Sequence, residues 1–550
     1  MTRIPVRRRG RTAGAIALGV ALLGASACGR DSTGPTDDGG GDVALGVGEY
    51  QIYGAGALLF PAAGATGATY LVVAQSATGT SGLSTAFSLT GVPGGEAAAA
   101  APAAAALPAA TPTRASAALR FHDGLRLREA ALVSAARAAG APFSAPAVRA
   151  PAVPPALGSR RTFKVCADLD CNTLKTVSAT ARYVGAHAAI FSDDTMPPGG
   201  GLTGTDLQAM GQQFDQELYP IDRANFGAES DIDNNGVVLI LLTPKVNALV
   251  GQPDCSDAFI TGYFYGADLT TDTRYNGGEV FYGMVPHPGD ATFCAYSTAL
   301  VRRLLQVTFV HEFQHMISFN QHVLVRGGDT EALWLNEGLS HIAEELAGLH
   351  YDSLGIDTTA SRFYIGNLYN AYQYLSDPLA SAIVTESPPG ELSERGAVWL
   401  FLRHVIDRAG AATTRALVNT SLTGDANVEA AAGTRLATLL GRWALAVYAG
   451  DFPGFAAPAD LRYQSWRFRS IFGQLNAQAR ADFPRAFPLI PVSATGGLVS
   501  VTGTVRSGSG VWVLVVQGAN GAGFSLTFGP TGGGGFAAAV GAQAAVVRLR

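Results

Sequence analysis

The chain has 550 residues, of which 48% are hydrophobic and 15% charged, and its formal net charge at pH 7 is −5. This length predicts three or four domains, and no internal stretch is apolar enough to span a bilayer. Without the five arginines of residues 1–27, 33 basic residues face 43 acidic ones and no basic stripe is present. We therefore expect no nucleic-acid partner.

The N-terminus has the pattern of an export signal over residues 1–27. Arginines precede an apolar run that is too short for a normal membrane span, and small residues stand directly before Cys28. The sequence ASAC resembles the lipobox of bacterial lipoproteins, in which the cysteine becomes the lipidated first residue. We expect a lipid-anchored protein of the bacterial cell envelope (outer membrane, periplasm or cell surface), with simple secretion as the alternative. The following GRDSTGPTDDGGGD has no apolar residue, so residues 28–45 are expected to form a flexible tether.

Composition and the pattern of apolar residues divide the rest of the chain into segments. Alternating apolar runs with glycine-rich turns predict a small β-domain over residues 46–95 and a C-terminal β-module over 485–550. Residues 96–157 form an Ala/Pro-rich linker that contains one helix. Strand patterns and a helix predict an α/β part over 158–296, and helical periodicity dominates residues 297–480. The expected fold is α+β, with a mixed sheet and a helical part flanked by small β-sandwich-like modules.

Four cysteines follow Cys28. In an exported chain, an even number of cysteines favours disulfides, and CADLDC can close a tight local loop. Three pairings remain open, and we favour Cys166–Cys171 with Cys255–Cys294. A zinc–thiolate cluster is not favoured, because the sequence contains no CxxC pair.

The segment TFVHEFQHMISF contains an HExxH motif on a predicted helix. His311 and His315 lie one turn apart and share a face of that helix. Two imidazoles on one face can bind zinc, while the adjacent carboxylate of Glu312 can reach the metal's water as a general base. The alternative is a core helix with surface histidines.

A third ligand candidate lies on the next predicted helix. Glu337 stands in WLNEG, far enough beyond the HExxH helix for the chain to turn and come back antiparallel. The set His311, His315 and Glu337 would complete a His₂Glu zinc site with an open fourth position. The combination of both motifs favours a catalytic zinc ion over an ordinary buried helix.

The segments HEFQHMISF and WLNEGLSHIAEEL resemble the gluzincin metallopeptidases, and most closely the hyicolysin-type family of secreted bacterial neutral zinc metallopeptidases. The resemblance covers roughly residues 160–450 and neither β-module. It implies a zincin-like catalytic domain with one catalytic Zn²⁺ and endopeptidase activity on extracytoplasmic proteins, through a zinc-bound water activated by Glu312. The alternative function is a non-catalytic binding or structural lipoprotein on a degenerate zincin scaffold.

Other residues are candidates for supporting roles. Glu344 and His341 share a helix face with Glu337 and are expected to orient a ligand histidine. Arg395 stands where related sequences often carry Tyr, and it is a candidate donor to the oxyanion of the transition state. Further donor candidates are Tyr364, Tyr369, Tyr372 and His404.

The segment SDIDNNG begins like a calcium-binding loop, with carboxylate and amide side chains at Asp231, Asp233 and Asn235. An EF-hand requires Glu at the twelfth position, where Leu242 stands, and a helix where a strand is predicted. We therefore interpret this segment as an Asx-rich turn that enters a buried strand, with structural Ca²⁺ as a less favoured alternative.

Overall fold

The computed structural model describes residues 39–94, 105–106, 116–141, 143, 153–197, 201–252, 254–256, 259–385 and 391–550. The predicted export signal (1–27), the lipidation site Cys28, most of the tether and much of the Ala/Pro-rich linker lie outside these residues. Within them, no helix combines the length and the apolar character that a membrane crossing requires.

The described chain is a mixed α+β structure, as expected. Its α-helices are α1 (Ala117–Ala138), α2 (Gly204–Gln213), α3 (Tyr219–Phe226), α4 (Pro244–Asn247), α5 (Thr298–Phe319), α6 (Leu333–Ser353), α7 (Asp357–Ser376), α8 (Leu392–Ala409), α9 (Ala412–Val418), α10 (Gly424–Ala432), α11 (Leu436–Ala449) and α12 (Phe468–Gln478). A π-helical turn, Phe214–Leu218, joins α2 to α3, and another, Asn320–Val325, extends α5.

The strands belong to three sheets. They are β1 (Gly41–Asp42), β2 (Tyr50–Gly54), β3 (Gly56–Phe60), β4 (Ala68–Ser76), β5 (Ser84–Pro93), β6 (Ala105–Ala106), β7 (Arg160–Cys166), β8 (Leu174–Val184), β9 (Ala188–Asp193), β10 (Val238–Leu242), β11 (Gly262–Phe264), β12 (Val280–Gly283), β13 (Val492–Thr495), β14 (Ser500–Arg506), β15 (Gly510–Gln517), β16 (Phe524–Pro530) and β17 (Ala542–Arg548).

The two ends of the chain build one β-sandwich. Its sheets have the orders β1-β3-β16-β5-β14-β6 and β13-β15-β4-β17-β2, so each strand from residues 46–95 pairs with at least one strand from 485–550. Strand β4 lies between β15 and β17, where Leu71 pairs with Leu514 and Val72 pairs with Val546. The expectation of two separate β-modules is therefore wrong. Neither segment alone supplies both neighbours for its central strands, and each would expose unpaired edges.

The central sheet of the remaining part has the order β11-β12-β10-β9-β8-β7. Strands β9, β10 and β12 run parallel, and every residue of β10 (VLILL) is buried, as expected of a strand covered on both faces. Strand β11 pairs antiparallel with β12 and forms the edge of the sheet, against helix α5. The sheet therefore presents its edge strand to the helix that carries the HExxH motif.

Two glycines allow the helices around this motif to approach closely. A Cβ atom at Gly338 of α6 would lie 2.3 Å from Val398 Cγ1 of α8, and one at Gly396 of α8 would lie 2.2 Å from the Asn370 carbonyl carbon of α7. Each distance is far inside van der Waals contact, so only glycine fits. These contacts set the separation between α6, which carries Glu337, and the first turns of α8.

Both predicted disulfides are present, Cys166–Cys171 and Cys255–Cys294. The first closes the loop after β7, and the second ties the loop before β11 to the segment that leads into α5. The second bond therefore links the chain on both sides of β11, whereas the first lies at β7, the opposite edge strand of the same sheet.

We expect Gly338→Ala to destabilise the protein by about 1–3 kcal/mol, because the added methyl group overpacks the α6–α8 contact. The measurement is the thermal unfolding midpoint. Gly366→Ala is the matched control, since Gly366 is exposed within α7 and an added Cβ meets no atom within 4 Å. The control should be neutral or slightly stabilising, by about 0.5–1 kcal/mol. Equal midpoints for the two variants would contradict the packing argument.

Candidate metal centre

Three side chains from two helices converge on one point. On α5, His311 Nε2 lies 3.2 Å from His315 Nε2. Glu337 of α6 places Oε2 3.6 Å from His311 Nε2 and Oε1 3.6 Å from His315 Nε2. All three residues are buried. The predicted His₂Glu set is thus brought together across the interface of α5 and α6.

The spacing of these atoms fits a zinc ion. Ligand bonds of 2.0–2.2 Å at tetrahedral angles place neighbouring donor atoms about 3.3 Å apart. The observed separations of 3.2 and 3.6 Å bracket this value. Two imidazole nitrogens and one carboxylate are also the donor types that Zn²⁺ binds in catalytic sites.

Neighbouring side chains hold both imidazoles in orientation. His311 Nδ1 lies 2.7 Å from Glu344 Oε1, and His341 Nδ1 lies 3.3 Å from the same oxygen. His315 Nδ1 lies 2.9 Å from Asn336 Oδ1, which can only accept. When the rings are neutral, the proton of each therefore lies on Nδ1, and the Nε2 lone pairs face the ligand point.

Sequence reasoning identified Glu344 and His341 but missed two partners of His315. These are Asn336 and Ser340, whose Oγ lies 3.2 Å from His315 Nδ1 while it donates to Gln314 Oε1. The position of Asn336 directly before Glu337 was the available signal, because a residue beside a ligand on the same helix turn can reach a neighbouring ligand.

Glu312 lies beside the centre with its carboxylate held in place. Its Oε2 accepts a hydrogen bond from the backbone N–H of Phe264 at 2.8 Å, at the end of strand β11. The side chain is buried, and this burial raises its pKa, although the positive charge of His311 opposes the shift. A carboxylate whose pKa is raised toward neutrality is suited to accept and return a proton.

Without a metal ion, the His311 imidazole carries an additional proton. Burial alone would lower the pKa of His311, but the Glu337 carboxylate at 3.6 Å and the hydrogen-bonded Glu344 carboxylate outweigh it and raise the pKa to about 10. At neutral pH the imidazole is therefore protonated, and a divalent cation must displace that proton when it binds.

Arg395 contacts two carboxylates. Its Nη1 lies 2.8 Å from Glu337 Oε2, and its Nη2 lies 3.0 Å from Asp123 Oδ1 of helix α1. Although burial raises the pKa of Glu337, the Arg395 guanidinium leads the interactions that hold this pKa well below its usual range. Both terminal nitrogens lie in ion pairs, and opening of the pair with Asp123 would free Nη2 for the predicted oxyanion-donor role.

Two of the other donor candidates form hydrogen bonds elsewhere. The Tyr372 hydroxyl donates to the Arg485 carbonyl at 3.1 Å, and His404 Nε2 lies 2.9 Å from the Asp460 carbonyl. The rings of the remaining two tyrosines pack on aromatic side chains, Tyr364 on Trp466 and Tyr369 on Phe483.

Helix α1 covers the edge strand next to Glu312. Arg126 Nη2 donates to the Phe264 carbonyl at 2.5 Å, and Glu129 Oε1 accepts from the Gly266 N–H at 2.6 Å. The two side chains also pair with each other at 2.9 Å. With Asp123 they occupy every third position of one buried helix face. This spacing of charges was the sequence signal for an inward polar face, and our sequence analysis did not use it.

One comparison with a known protein points in the same direction. No model of a known protein family matches the chain. The chain is 27% identical over 176 residues to the neutral metalloprotease ShpI of Staphylococcus hyicus, a region that covers 32% of this chain and only 37% of that protein. A crystal structure of an M1 zinc metallopeptidase from Deinococcus radiodurans, bound to a Tyr-Ser-Ala substrate, aligns with 52% of this chain and 60% of that one, at 14% identity and a TM-score of 0.28. The sequence similarity to ShpI supports a metallopeptidase relationship, whereas a TM-score at this level establishes no shared fold.

We expect Glu344→Ala and Asn336→Ala each to lower the affinity for Zn²⁺ by about 10–100-fold, because the ligand imidazoles lose the acceptors that orient them. A competition titration with a chromogenic zinc chelator measures this. His350→Ala is the control, since this ring contacts Glu217 and is partly exposed. Wild-type affinity in both variants, together with loss of binding in His311→Ala, would refute the orienting role.

Proposed function

We propose that this chain is a zinc-dependent endopeptidase of the gluzincin type, with a hyicolysin-like catalytic domain, that cleaves extracytoplasmic proteins. The observation that carries the proposal is the convergence of His311 Nε2, His315 Nε2 and Glu337 on one point, with the Glu312 carboxylate beside it. A purely structural zinc site is closed by four protein ligands, whereas this set supplies three.

Each residue of the proposed site has a separate role in peptide hydrolysis. Zn²⁺ held by His311, His315 and Glu337 would supply Lewis acidity that polarises the scissile carbonyl and acidifies the attacking water. Glu312 accepts the proton of that water and delivers it to the departing amine. Arg395 keeps the ligand Glu337 ionised.

The proposed location is outside the cytoplasm. Two disulfides join the four cysteines that follow Cys28, and disulfides persist in oxidising compartments. The lipid anchor at Cys28 remains a prediction from the sequence, as does the position of the protein in the envelope.

Helix α1 makes the intact chain latent in this proposal. An extended peptide commonly binds by adding to an exposed sheet edge through main-chain hydrogen bonds. In this protein β11 is such an edge, but the Phe264 carbonyl and the Gly266 N–H beside Glu312 are already bonded to Arg126 and Glu129. A substrate reaches these groups only after α1 has moved away.

We expect Glu312→Gln to lower the rate of casein cleavage by about 10²–10⁴-fold while zinc content stays at the wild-type level, because the amide cannot accept the proton but is not a ligand. Residues 29–550 would be assayed by release of labelled peptides and by metal analysis. Glu217→Gln, at a partly exposed carboxylate that contacts His350, is the matched control and should cleave normally. Unchanged cleavage by Glu312→Gln would refute the mechanism.

We expect the triple variant Asp123→Asn, Arg126→Ala, Glu129→Gln to cleave at least about tenfold faster than the intact wild type. Each charged hydrogen bond contributes about 1.5–3 kcal/mol, and about 1.4 kcal/mol of lost docking free energy raises the open fraction tenfold. Initial rates with casein measure this.

Ser134→Ala, at an exposed position of α1, is the control for that experiment and should behave as wild type. Limited proteolysis reports whether α1 has been released. A released α1 without faster cleavage would refute latency, and a zinc-loaded, released chain that cleaves nothing would favour the non-catalytic alternative.

A further inference from the structure

A second group of possible metal ligands lies away from the zinc centre, where the chain enters β10. The loop before this strand carries Asp231 and Asp233, and Glu279 precedes the neighbouring strand β12. One carboxylate oxygen from each residue lies within 4.8 Å of the others. We propose that Asp231, Asp233 and Glu279 form a Ca²⁺ site.

The strongest independent observation is the state of Glu279. This residue is 1% exposed, and its Oε1 accepts from Ser230 Oγ at 2.6 Å and from the Ile232 N–H at 2.8 Å. Its other oxygen, Oε2, is buried without a hydrogen-bond partner among the described residues, and so is Asp233 Oδ1. A buried carboxylate oxygen without a partner is costly, and a bound cation removes that cost.

Glu279 and Asp233 bring two carboxylates close together, since one oxygen of each lies within 4.8 Å of the other. Two carboxylates that disfavour each other's ionisation become mutually compatible once a divalent cation lies between them.

The loop has the conformation expected of a calcium-binding turn at its first positions. Asp231, Asp233 and Asn235 occupy the first, third and fifth positions, and Gly236 at the sixth has φ +74°, a left-handed conformation that suits glycine. Asp231 Oδ1 accepts from the Gly236 N–H at 3.2 Å, which curls the loop around its own side chains. The Asx-rich turn predicted from the sequence is therefore present.

Glu279, from outside the loop, takes the place of the acidic residue that is absent from the twelfth position. Leu242 at that position is buried in β10. Strands β10 and β12 are parallel neighbours, with Leu239 opposite Val280, so the residue before β12 lies at the same end as the loop before β10. The Leu239 N–H donates to the Glu279 carbonyl at 2.7 Å and fixes this register. Glu279 therefore lies next to the loop, at the start of the neighbouring strand.

The chemistry of the donors selects the ion. Carboxylate and amide oxygens in an irregular loop suit Ca²⁺, whereas Mg²⁺ demands a near-ideal octahedron and Zn²⁺ prefers nitrogen and sulfur. Arg161 Nη1 lies 3.1 Å from Asp233 Oδ2, which also accepts from Asn235 Nδ2 at 2.9 Å. This positive charge weakens the site, so we place its affinity in the range of extracellular modules, about 10⁻⁴–10⁻³ M.

The test is a calcium titration of chelator-treated residues 29–550, followed by calorimetry and by the thermal unfolding midpoint. Wild type should bind one Ca²⁺ and gain about 2–4 °C at 10 mM CaCl₂. Glu279→Gln and the exposed-site variant Asp231→Asn should lose both responses. Asp272→Asn, at a surface carboxylate paired with Arg274, is the control and should keep them.

Other outcomes would overturn the site. Wild type that shows neither binding nor a midpoint shift, or Glu279→Gln that responds as wild type does, refutes it. An equal response to MgCl₂ refutes the assignment to Ca²⁺. The calcium response should persist in His311→Ala, which lacks a zinc ligand, and its loss there would mean that the calcium binds at the zinc centre instead.

Discussion

The balance of buried charge is the constraint on which the centre of this protein depends. Glu312, Glu337 and Glu344 are all buried beside the two histidines of α5. Carboxylates in such surroundings remain ionised only when positive charge lies close to them. Arg395 at 2.8 Å supplies it to Glu337, and His311 at 2.7 Å supplies it to Glu344. A divalent cation would replace the imidazole proton in the same balance, which explains how one arrangement of helices accommodates both the metal-free and the metal-bound states.

Helix α1 contributes charged groups to this balance of buried charge, and it also packs against the sheet edge. It brings Arg126 toward the sheet edge, together with the carboxylates of Asp123 and Glu129. Burial raises the pKa of Glu129 to about 7, with Arg126 as the leading opposing interaction. Removal of α1 therefore exposes the edge of β11 and also frees one terminal nitrogen of Arg395. The covering helix and the predicted oxyanion donor are linked through a single ion pair.

The convergence of the three proposed zinc ligands could be predicted from the sequence because it depends on local geometry. His311 and His315 lie one helical turn apart, and Glu337 follows on the next helix of the chain. The sandwich could not be predicted in the same way, because alternation shows which face of a strand is buried but not which strand lies beside it. Arg395 was a candidate from the sequence. Its partner Asp123 lies on α1, a helix that is distant in sequence and falls within the predicted Ala/Pro-rich linker. The contact between Arg395 and Asp123 was therefore not predictable.

The proposed calcium loop and the proposed zinc centre share one framework of strands. Glu279 directly precedes β12, and Phe281 of that strand pairs with Phe264 of β11. The backbone N–H of Phe264 in turn holds the Glu312 carboxylate at 2.8 Å. A cation that fixes the carboxylate of Glu279 would restrain the start of β12, two residues from this pairing, and hence the edge strand that orients Glu312. Through the pairing of β12 with β11 and the hydrogen bond from Phe264, the proposed loop would support the position of the proposed general base.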